Sequence, residues 1–277
     1  MATLMEYLRK AVYDGASDIF MVPGAPVSYK LEGVLTPMET ERLMPVSSEA
    51  LLQEIYGQAQ RDIKPYRTTG DDDFSFSVPG LARFRVNAYR QRGSLAAVIR
   101  VVAFSIPDWQ SLGIPEQVMA LADEHNGMIL VTGTAGCGKS TTMACLVDRI
   151  NRERACHVIT LEDPIEFLHR NQKSIVSQRE IAVDTSDYLS ALRACLRQAP
   201  DVIQLGEMRD LETIRTAMTA AETGHLLLAT LHTKGAVNTI DRIIDTFPAD
   251  QQGQIRIQLS AVLRTVISQQ LVPDVDG

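Results

Sequence analysis

The stretch MILVTGTAGCGKSTTMACLVDRI, residues 128–150, decides the fold of the longer part of the chain. An apolar run typical of a strand leads into the pattern G-x-x-x-x-G-K-S, and a helical pattern follows it. Successive backbone N–H groups and the helix N-terminus bind a phosphate group in such an arrangement. We expect Lys139 to reach the β- and γ-phosphates of a nucleotide and Ser140 to bind Mg²⁺. The predicted phosphate-binding residues are Gly133, Thr134, Ala135, Gly136, Cys137, Gly138, Lys139, Ser140 and Thr141.

Strand-like and helical patterns alternate on either side of this loop. Apolar runs occur at 128–132, 157–161, 201–205 and 226–231. Helical patterns lie between and after them, at 139–153, 186–198, 210–222 and 235–245. This alternation predicts a parallel sheet with helices on both faces, which is an α/β domain.

Acidic residues follow two of the predicted strands. The second strand runs into Glu162-Asp163-Pro164-Ile165-Glu166, and the third ends in Gly206-Glu207. Because the carboxyl ends of parallel strands share one edge, these carboxylates are expected beside the phosphate loop. There they can hold Mg²⁺ or its waters, or orient and deprotonate an attacking water. For Glu162 and Asp163, a helix cap or a structural ion pair is an equally acceptable interpretation.

Two histidines, His225 and His232, flank the fourth apolar run. Beside a phosphate site they could sense the γ-phosphate, although an ordinary structural role explains them equally well. Their spacing, with no third ligand nearby, disfavours a zinc site.

The first part of the chain has a different pattern. A helical pattern at 3–16 is followed by two short strand-like runs at 19–22 and 27–31. A second helix is predicted from Ser47 or Ser48 to Gln58, and three strands of a meander at 74–78, 82–89 and 96–104. These elements indicate an α+β module with an antiparallel sheet, and the proline-containing stretch 105–116 is interpreted as a linker.

Arginine is concentrated in this first module. Residues 74–107 contain Arg83, Arg85, Arg90, Arg92 and Arg100 but no acid, in a chain of net charge −7. This group predicts an anionic partner. One candidate is the phosphate site of a neighbouring subunit, since an arginine supplied from outside such a site can accelerate phosphoryl transfer about 10³–10⁵-fold. A solvated arginine face is the alternative.

Composition excludes several classes of protein. The isoelectric point near 5.3 disfavours a nucleic-acid surface. No apolar run is long enough to span a bilayer, the N-terminus does not resemble a signal peptide, and no C-x-x-C pair is present. An Asn-Lys-x-Asp segment, which guanine recognition would require, is also missing, so ATP is the predicted nucleotide.

Five segments together resemble the type IV pilus retraction (twitching motility) ATPases of the type II/IV secretion superfamily. They are DFSFSVPGLARFRVNAYRQRG (73–93), VTGTAGCGKSTTMA (131–144), ITLEDPIEF (159–167), GEMRDLETI (206–214) and TAAETGHLLLATLHT (219–233). In that family they are the arginine-bearing strands, Walker A, the Asp box, Walker B and the His box. The resemblance implies a PAS-like N-terminal domain (1–104) and a RecA-like ATPase domain (117–277).

The resemblance also implies a mechanism and partners. Such proteins form hexameric rings in the cytoplasm, at the inner face of the membrane, where ATP hydrolysis drives pilin removal through a membrane platform protein. By position, Glu166 resembles the water-activating base and Glu207 the Walker B acid. Arg83, Arg85 and Arg100 resemble the arginines that contact the γ-phosphate. His225 and His232 take the His-box role.

Two departures from the family pattern accompany this resemblance. Cys137 stands where most relatives carry serine, and the chain ends at Val275-Asp276-Gly277 where relatives continue into helices associated with retraction. We therefore expect a C-terminally truncated ATPase domain.

Three competing functions are also compatible with a phosphate loop in this context. An assembly or type II secretion ATPase is disfavoured, because it would carry an extra N-terminal domain and a four-cysteine zinc module. A low-turnover accessory retraction paralogue is the second. A RecA-like DNA motor is the third, and the acidic isoelectric point disfavours it.

Overall fold

A computed structural model describes residues 2–102, 104 and 106–272. The chain divides into two compact units, Met1–Phe104 and Ser105–Gly277. The end of the third predicted meander strand (Ala103) and the chain end from 273 onward lie outside the described residues. Among the helices within the described ranges, none has both the length and the apolar character needed to cross a bilayer.

The described residues of the N-terminal unit form one antiparallel sheet and three helices. Its elements are α1 (Leu4–Tyr13), β1 (Asp18–Met21), β2 (Ser28–Leu31), β3 (Val34–Pro37), α2 (Pro45–Gln58), α3 (Lys64–Thr69), β4 (Asp71–Val78), β5 (Ala82–Gln91) and β6 (Ser94–Val102). The strand order is β3-β2-β1-β6-β5-β4. The predicted hairpin of β1 and β2 and the meander of β4 to β6 are confirmed. Helix α3 and strand β3 were not predicted.

Local sequence explains how these elements begin and which face they bury. Helix α1 starts at a capping box, in which the Thr3 and Glu6 side chains each bind the other's backbone N–H. On β5, Phe84 and Val86 are fully buried, while Arg83 and Arg85 lie on the opposite face. The predicted alternation of this strand is therefore confirmed, and it gives the sheet one core face and one charged face.

The C-terminal unit is an α/β layer structure. Its elements are α4 (Glu116–Met119) with a 3₁₀ turn (Ala120–Asp123), β7 (Gly127–Thr132), α5 (Lys139–Glu153), β8 (His157–Glu162), β9 (Ile175–Glu180), α6 (Tyr188–Cys195), β10 (Val202–Leu205), α7 (Leu211–Glu222), β11 (Leu226–Leu231), α8 (Ala236–Asp245), α9 (Gln252–Val262) and β12 (Leu263–Ser268). The strand order is β12-β7-β11-β10-β8-β9, and all pairs are parallel. The predicted parallel sheet and α/β class are confirmed.

Differences from the predicted elements have local causes. Helix α6 begins later than predicted because the Asp187 side chain accepts from the Ser190 N–H at 2.7 Å and caps it. Strands β9 and β12 and helix α9 were not predicted. Neither strand carries a continuous buried apolar run like those of β7 and β11. In the predicted linker, Ile106, Trp109 and Ile114 pack against the core of this unit.

Candidate nucleotide site

The phosphate loop (133–138) connects β7 to α5 at the carboxyl edge of the parallel sheet. Gly138 caps α5 in the left-handed conformation, with φ of 89°. At Gly133 a Cβ would lie 2.3 Å from the backbone oxygen of Gln269, so only glycine fits there. Cys137 is buried beneath the loop, whereas Thr134, Ala135, Gly136 and Ser140 are exposed and Thr141 is half-buried.

Gln269, which follows β12, supports this loop and was missed by the sequence analysis. Its backbone N–H donates to the Thr132 oxygen at 2.7 Å, and its side-chain oxygen accepts from the Thr142 hydroxyl at 2.9 Å. No local sequence signal identifies this residue, because its partners are more than a hundred residues away in the chain.

Lys139 lies at the start of α5 with its amine turned towards the loop. The Nζ atom donates to the backbone oxygens of Gly133 at 2.9 Å and Thr134 at 2.8 Å. The residue is buried. A single positive charge is thus held against the loop that is expected to wrap the phosphates, which is the position its predicted role requires.

Glu207 follows β10 and is 8% exposed. One carboxylate oxygen, Oε1, pairs with Arg209. The other, Oε2, lies 3.3 Å from His232 Nε2 but has no hydrogen bond among the described residues. A buried carboxylate oxygen without a donor is suited to an external ligand such as a cation or a cation-bound water.

The Asp box lies at the end of β8, and its two glutamates differ in burial. Glu162 is buried and accepts from the Thr160 hydroxyl at 2.6 Å and from Gln178 Nε2 at 3.2 Å. Burial raises the pKa of its carboxyl to about 7, and these donors lower it only in part. Glu166 is exposed and faces the cleft, which suits a group that exchanges protons with water.

These groups meet in one cleft of about 240 Å³ within the C-terminal unit. The predicted site residues and candidate acids that line it are Ala135, Gly136, Lys139, Ser140, Glu162, Asp163, Glu166, Glu207 and His232. Residues that were not singled out from the sequence also line it, among them Met143, Tyr188, Gln204 and Thr230. Tyr188 packs over Gly206, where a Cβ would come within 2.6 Å of the tyrosine oxygen.

The structure does not bring His225 to this cleft. His225 precedes β11, and its backbone oxygen accepts from Gly127 at the start of β7, so it lies at the amino edge of the sheet. Its ring Nδ1 is 2.9 Å from the Ala220 oxygen. A six-residue strand separates it from His232. The expectation that both histidines lie at the phosphate site is therefore corrected: only His232 does.

Arg83, Arg85 and Arg100 lie on one face of the N-terminal sheet, here called the arginine face. Arg85 and Arg100 are direct cross-strand partners. Arg85 pairs with Asp73 at 2.8 Å, Arg100 pairs with Asp18 at 3.1 Å, and Arg83 donates to the Ser77 hydroxyl at 3.2 Å. Residues 74–107 contain no acid, but β4 supplies Asp73 and β1 supplies Asp18 to this face. Their contact with a nucleotide remains a prediction.

Comparison with known proteins identifies the family. Residues 1–276 match the family described as type II/IV secretion system protein. The chain belongs to this family. The type IV pilus retraction ATPase PilT of Pseudomonas aeruginosa is 43% identical over 274 residues, covering 99% of this chain and 79% of PilT. The type IV pilus ATPase PilU of the same species is 40% identical over 270 residues, covering 98% of this chain and 70% of PilU.

A solved structure gives the same result at the level of the fold. The crystal structure of the pilus retraction motor PilT with bound ADP superimposes with a TM-score of 0.88 at 45% identity, covering 100% of this chain and 80% of that one. This secretion-family chain is a P-loop ATPase, and its predicted resemblance to the pilus retraction ATPases is confirmed.

Proposed function

We propose that this secretion-family ATPase is a ring motor that couples ATP hydrolysis to type IV pilus retraction. The observation that carries the proposal is the cleft itself. Lys139, Glu166 and Glu207 line it together, in a chain similar to a retraction ATPase over nearly its whole length. Those three groups are the minimum that phosphate binding, water activation and cation binding require.

Each residue has a defined task in hydrolysis. The loop N–H groups and the Lys139 amine bind the β- and γ-phosphates and neutralise part of their charge. The exposed Glu166 carboxylate orients the attacking water and accepts its proton. His232, beside Glu207, is suited to respond when the γ-phosphate leaves. The face carrying Arg83 supplies further positive charge from a neighbouring subunit.

The cleft also fits Mg²⁺. The Ser140 hydroxyl and the buried Glu207 Oε2 lie in the same cleft, and both are the hard oxygen ligands that Mg²⁺ prefers. When bound, Mg²⁺ would neutralise charge that develops on the phosphates.

The assembly and the partners follow from the retraction role. A hexameric ring would place the arginine face of one subunit at the cleft of the next. The ring would work in the cytoplasm, peripherally at the inner face of the membrane, against a membrane platform protein and through it on pilin. The net charge of −7 supports protein partners and disfavours nucleic acid.

Gene deletion tests this function in the organism that produces the protein. Loss of a retraction motor should leave cells with more surface pili and no twitching, and the wild-type gene should restore both. The Lys139→Ala gene should restore neither. Cells without surface pili would instead assign the ATPase to pilus assembly, and normal pili with defective protein export would assign it to secretion.

Purified protein distinguishes the motor from an accessory paralogue and from a DNA motor. A low-turnover accessory paralogue is the second candidate, since the chain is also 40% identical to a second type IV pilus ATPase, PilU. An accessory paralogue should bind ATP with very slow turnover, whereas a retraction motor should turn over ATP at a rate that double-stranded DNA does not raise. Stimulation by DNA would contradict the proposal and favour a DNA motor.

A further inference from the structure

The face of the parallel sheet that packs against α5 changes from apolar to polar towards the nucleotide. Val158 on β8 and Val202 on β10 belong to the apolar cluster beneath α5. Two residues further along these strands, Thr160 and Gln204 lie on the same face and are direct cross-strand partners. Glu162 on β8 and Thr230 on β11 lie on the same face at this end of the sheet. We call Thr160, Glu162, Gln204 and Thr230 the polar patch.

Three members of the polar patch are satisfied within the protein. The Thr160 hydroxyl donates to Glu162, which also accepts from Gln178, and the Thr230 hydroxyl donates to the Gly206 oxygen. Gln204 is the exception. It is 7% exposed, and its side-chain oxygen is buried without a hydrogen bond from any described residue.

This arrangement is costly unless a ligand completes it. A buried amide oxygen without a donor destabilises a fold, and an apolar side chain in the same strand position would avoid the cost. Gln204 lies on β10, in the interior of the sheet between β11 and β8, and lines the cleft. The presence of a polar side chain at this buried position therefore indicates a group that donates to it from the cleft.

The chemistry of the cleft points to water as that group. Two of the three N–H groups of the Lys139 amine donate to the loop oxygens of Gly133 and Thr134, and the third is left for the phosphates, which themselves offer no donor at neutral pH. A water bound between the phosphates and the sheet has two hydrogens to donate. Glu207 Oε2, at the end of the same strand, is another buried oxygen of the cleft without a hydrogen bond from the described residues. The two oxygens are suited to order water at the phosphate end.

We propose that the side-chain amide of Gln204 is a further binding group of the nucleotide cleft, and that it holds a water molecule beneath the γ-phosphate. This inference rests on the proposed ATPase function and deepens it. The water is either one bound to Mg²⁺ or the one that attacks the phosphate. In both cases Gln204 acts on turnover more than on nucleotide affinity.

The test compares Gln204→Met, which keeps length and volume but removes the acceptor oxygen, with the wild type. Gln204→Leu is the second variant, and Ile203→Leu, on the opposite face of the same strand, is the packing control. Removing an unsatisfied oxygen should leave the Tm of the nucleotide-free protein unchanged or raise it by about 2–4 °C. The kcat for ATP should fall about 10- to 100-fold, with KM nearly unchanged.

A second readout separates the two waters without relying on turnover. The Tm gain from a non-hydrolysable ATP analogue is measured with and without Mg²⁺. If the water belongs to Mg²⁺, Gln204→Met should need more Mg²⁺ to reach the wild-type gain. If it is the attacking water, the Mg²⁺ dependence should be unchanged and only kcat should fall.

Two results would overturn the inference while leaving the ATPase function intact. One is a wild-type kcat and Mg²⁺ dependence in both Gln204 variants. The other is a parallel loss of Tm and kcat that Ile203→Leu reproduces, since this would make Gln204 a packing residue. A wild-type protein that neither hydrolyses ATP nor gains Tm from the analogue would contradict the proposed function itself.

Discussion

The nucleotide cleft and the arginine face both contain several charged side chains, but these side chains differ in burial and in pairing. In the cleft, the charges of Lys139 and Glu207 are buried, and one oxygen of Glu207 has no hydrogen bond within the described residues. On the arginine face, the pair of Arg85 with Asp73 is exposed. Exposed pairs of this kind contribute about 0–1 kcal/mol each.

This difference indicates how each region can act. Buried, incompletely paired groups favour a ligand inside one subunit. Exposed pairs, by contrast, can exchange partners at little cost, so an arginine can leave its local acid for a phosphate of another subunit. Arg85 and Arg100 face each other directly, and the flanking acids Asp73 and Asp18 offset their repulsion until such a partner arrives.

Removal of the buried lysine should have the largest effect. Lys139→Ala should lower ATP turnover by about 10³-fold or more, because it removes the single positive charge held against the phosphate loop. The measurement is steady-state phosphate release. Lys173→Ala is the control, since this lysine is exposed and its amine donates to the backbone oxygen of Glu153, away from the cleft residues. Turnover near the wild-type rate in Lys139→Ala would remove the cleft from consideration as the ATP site.

The two cleft glutamates should separate binding from hydrolysis. Glu166→Gln and Glu207→Gln should each lower turnover by about 10³-fold while ATP binding, measured by calorimetry, persists. The exposed Glu222, at the end of α7, supplies the matched control Glu222→Gln. An active Glu166→Gln variant would transfer the role of base to another carboxylate, with Glu162 as the first candidate.

The arginine face should act between subunits, with a smaller effect. Arg83→Ala should lower turnover by about 10²-fold. Mixing Arg83→Ala protein with Lys139→Ala protein should restore part of the activity, because the lysine variant can supply an intact arginine to an intact phosphate loop. Arg9→Ala, on the exposed side of α1, is the control. A mixture no more active than its components would show that Arg83 does not act on the phosphate site of a neighbouring subunit.

The smallest effect concerns stability and pH. The ordinary pKa of 4.5 for Glu162 is raised to about 7 by burial, so between these pH values the folded chain keeps a proton that the unfolded chain has lost. The free energy of unfolding should therefore fall as pH rises through this window. Glu162→Gln removes this contribution and should gain stability relative to the wild type as pH rises from 4.5 to about 7. Urea unfolding measures it, and a difference independent of pH would show that Glu162 titrates normally.

The sequence predicts those parts of the cleft that depend on local spacing or on parallel topology. The phosphate loop follows from one contiguous motif, and Glu166 and Glu207 follow from the rule that parallel strands end at one edge. His225 was misplaced because a residue before a strand and one after it lie at opposite edges. Gln269 and Gln178 act on residues distant in sequence, and Gln204 is identified only by a hydrogen bond that it lacks, so none of them carries a local signal.

The dependence of ATPase activity on protein concentration tests the central claim of a ring motor most directly. Specific activity is measured over a wide range of concentrations, with native mass determined in parallel and Lys139→Ala as the blank. A cleft completed by the arginine face of a neighbour predicts activity per subunit that rises as hexamers form. Activity that stays constant in a monomer would contradict the account, and so would assembled rings that bind ATP without turning it over.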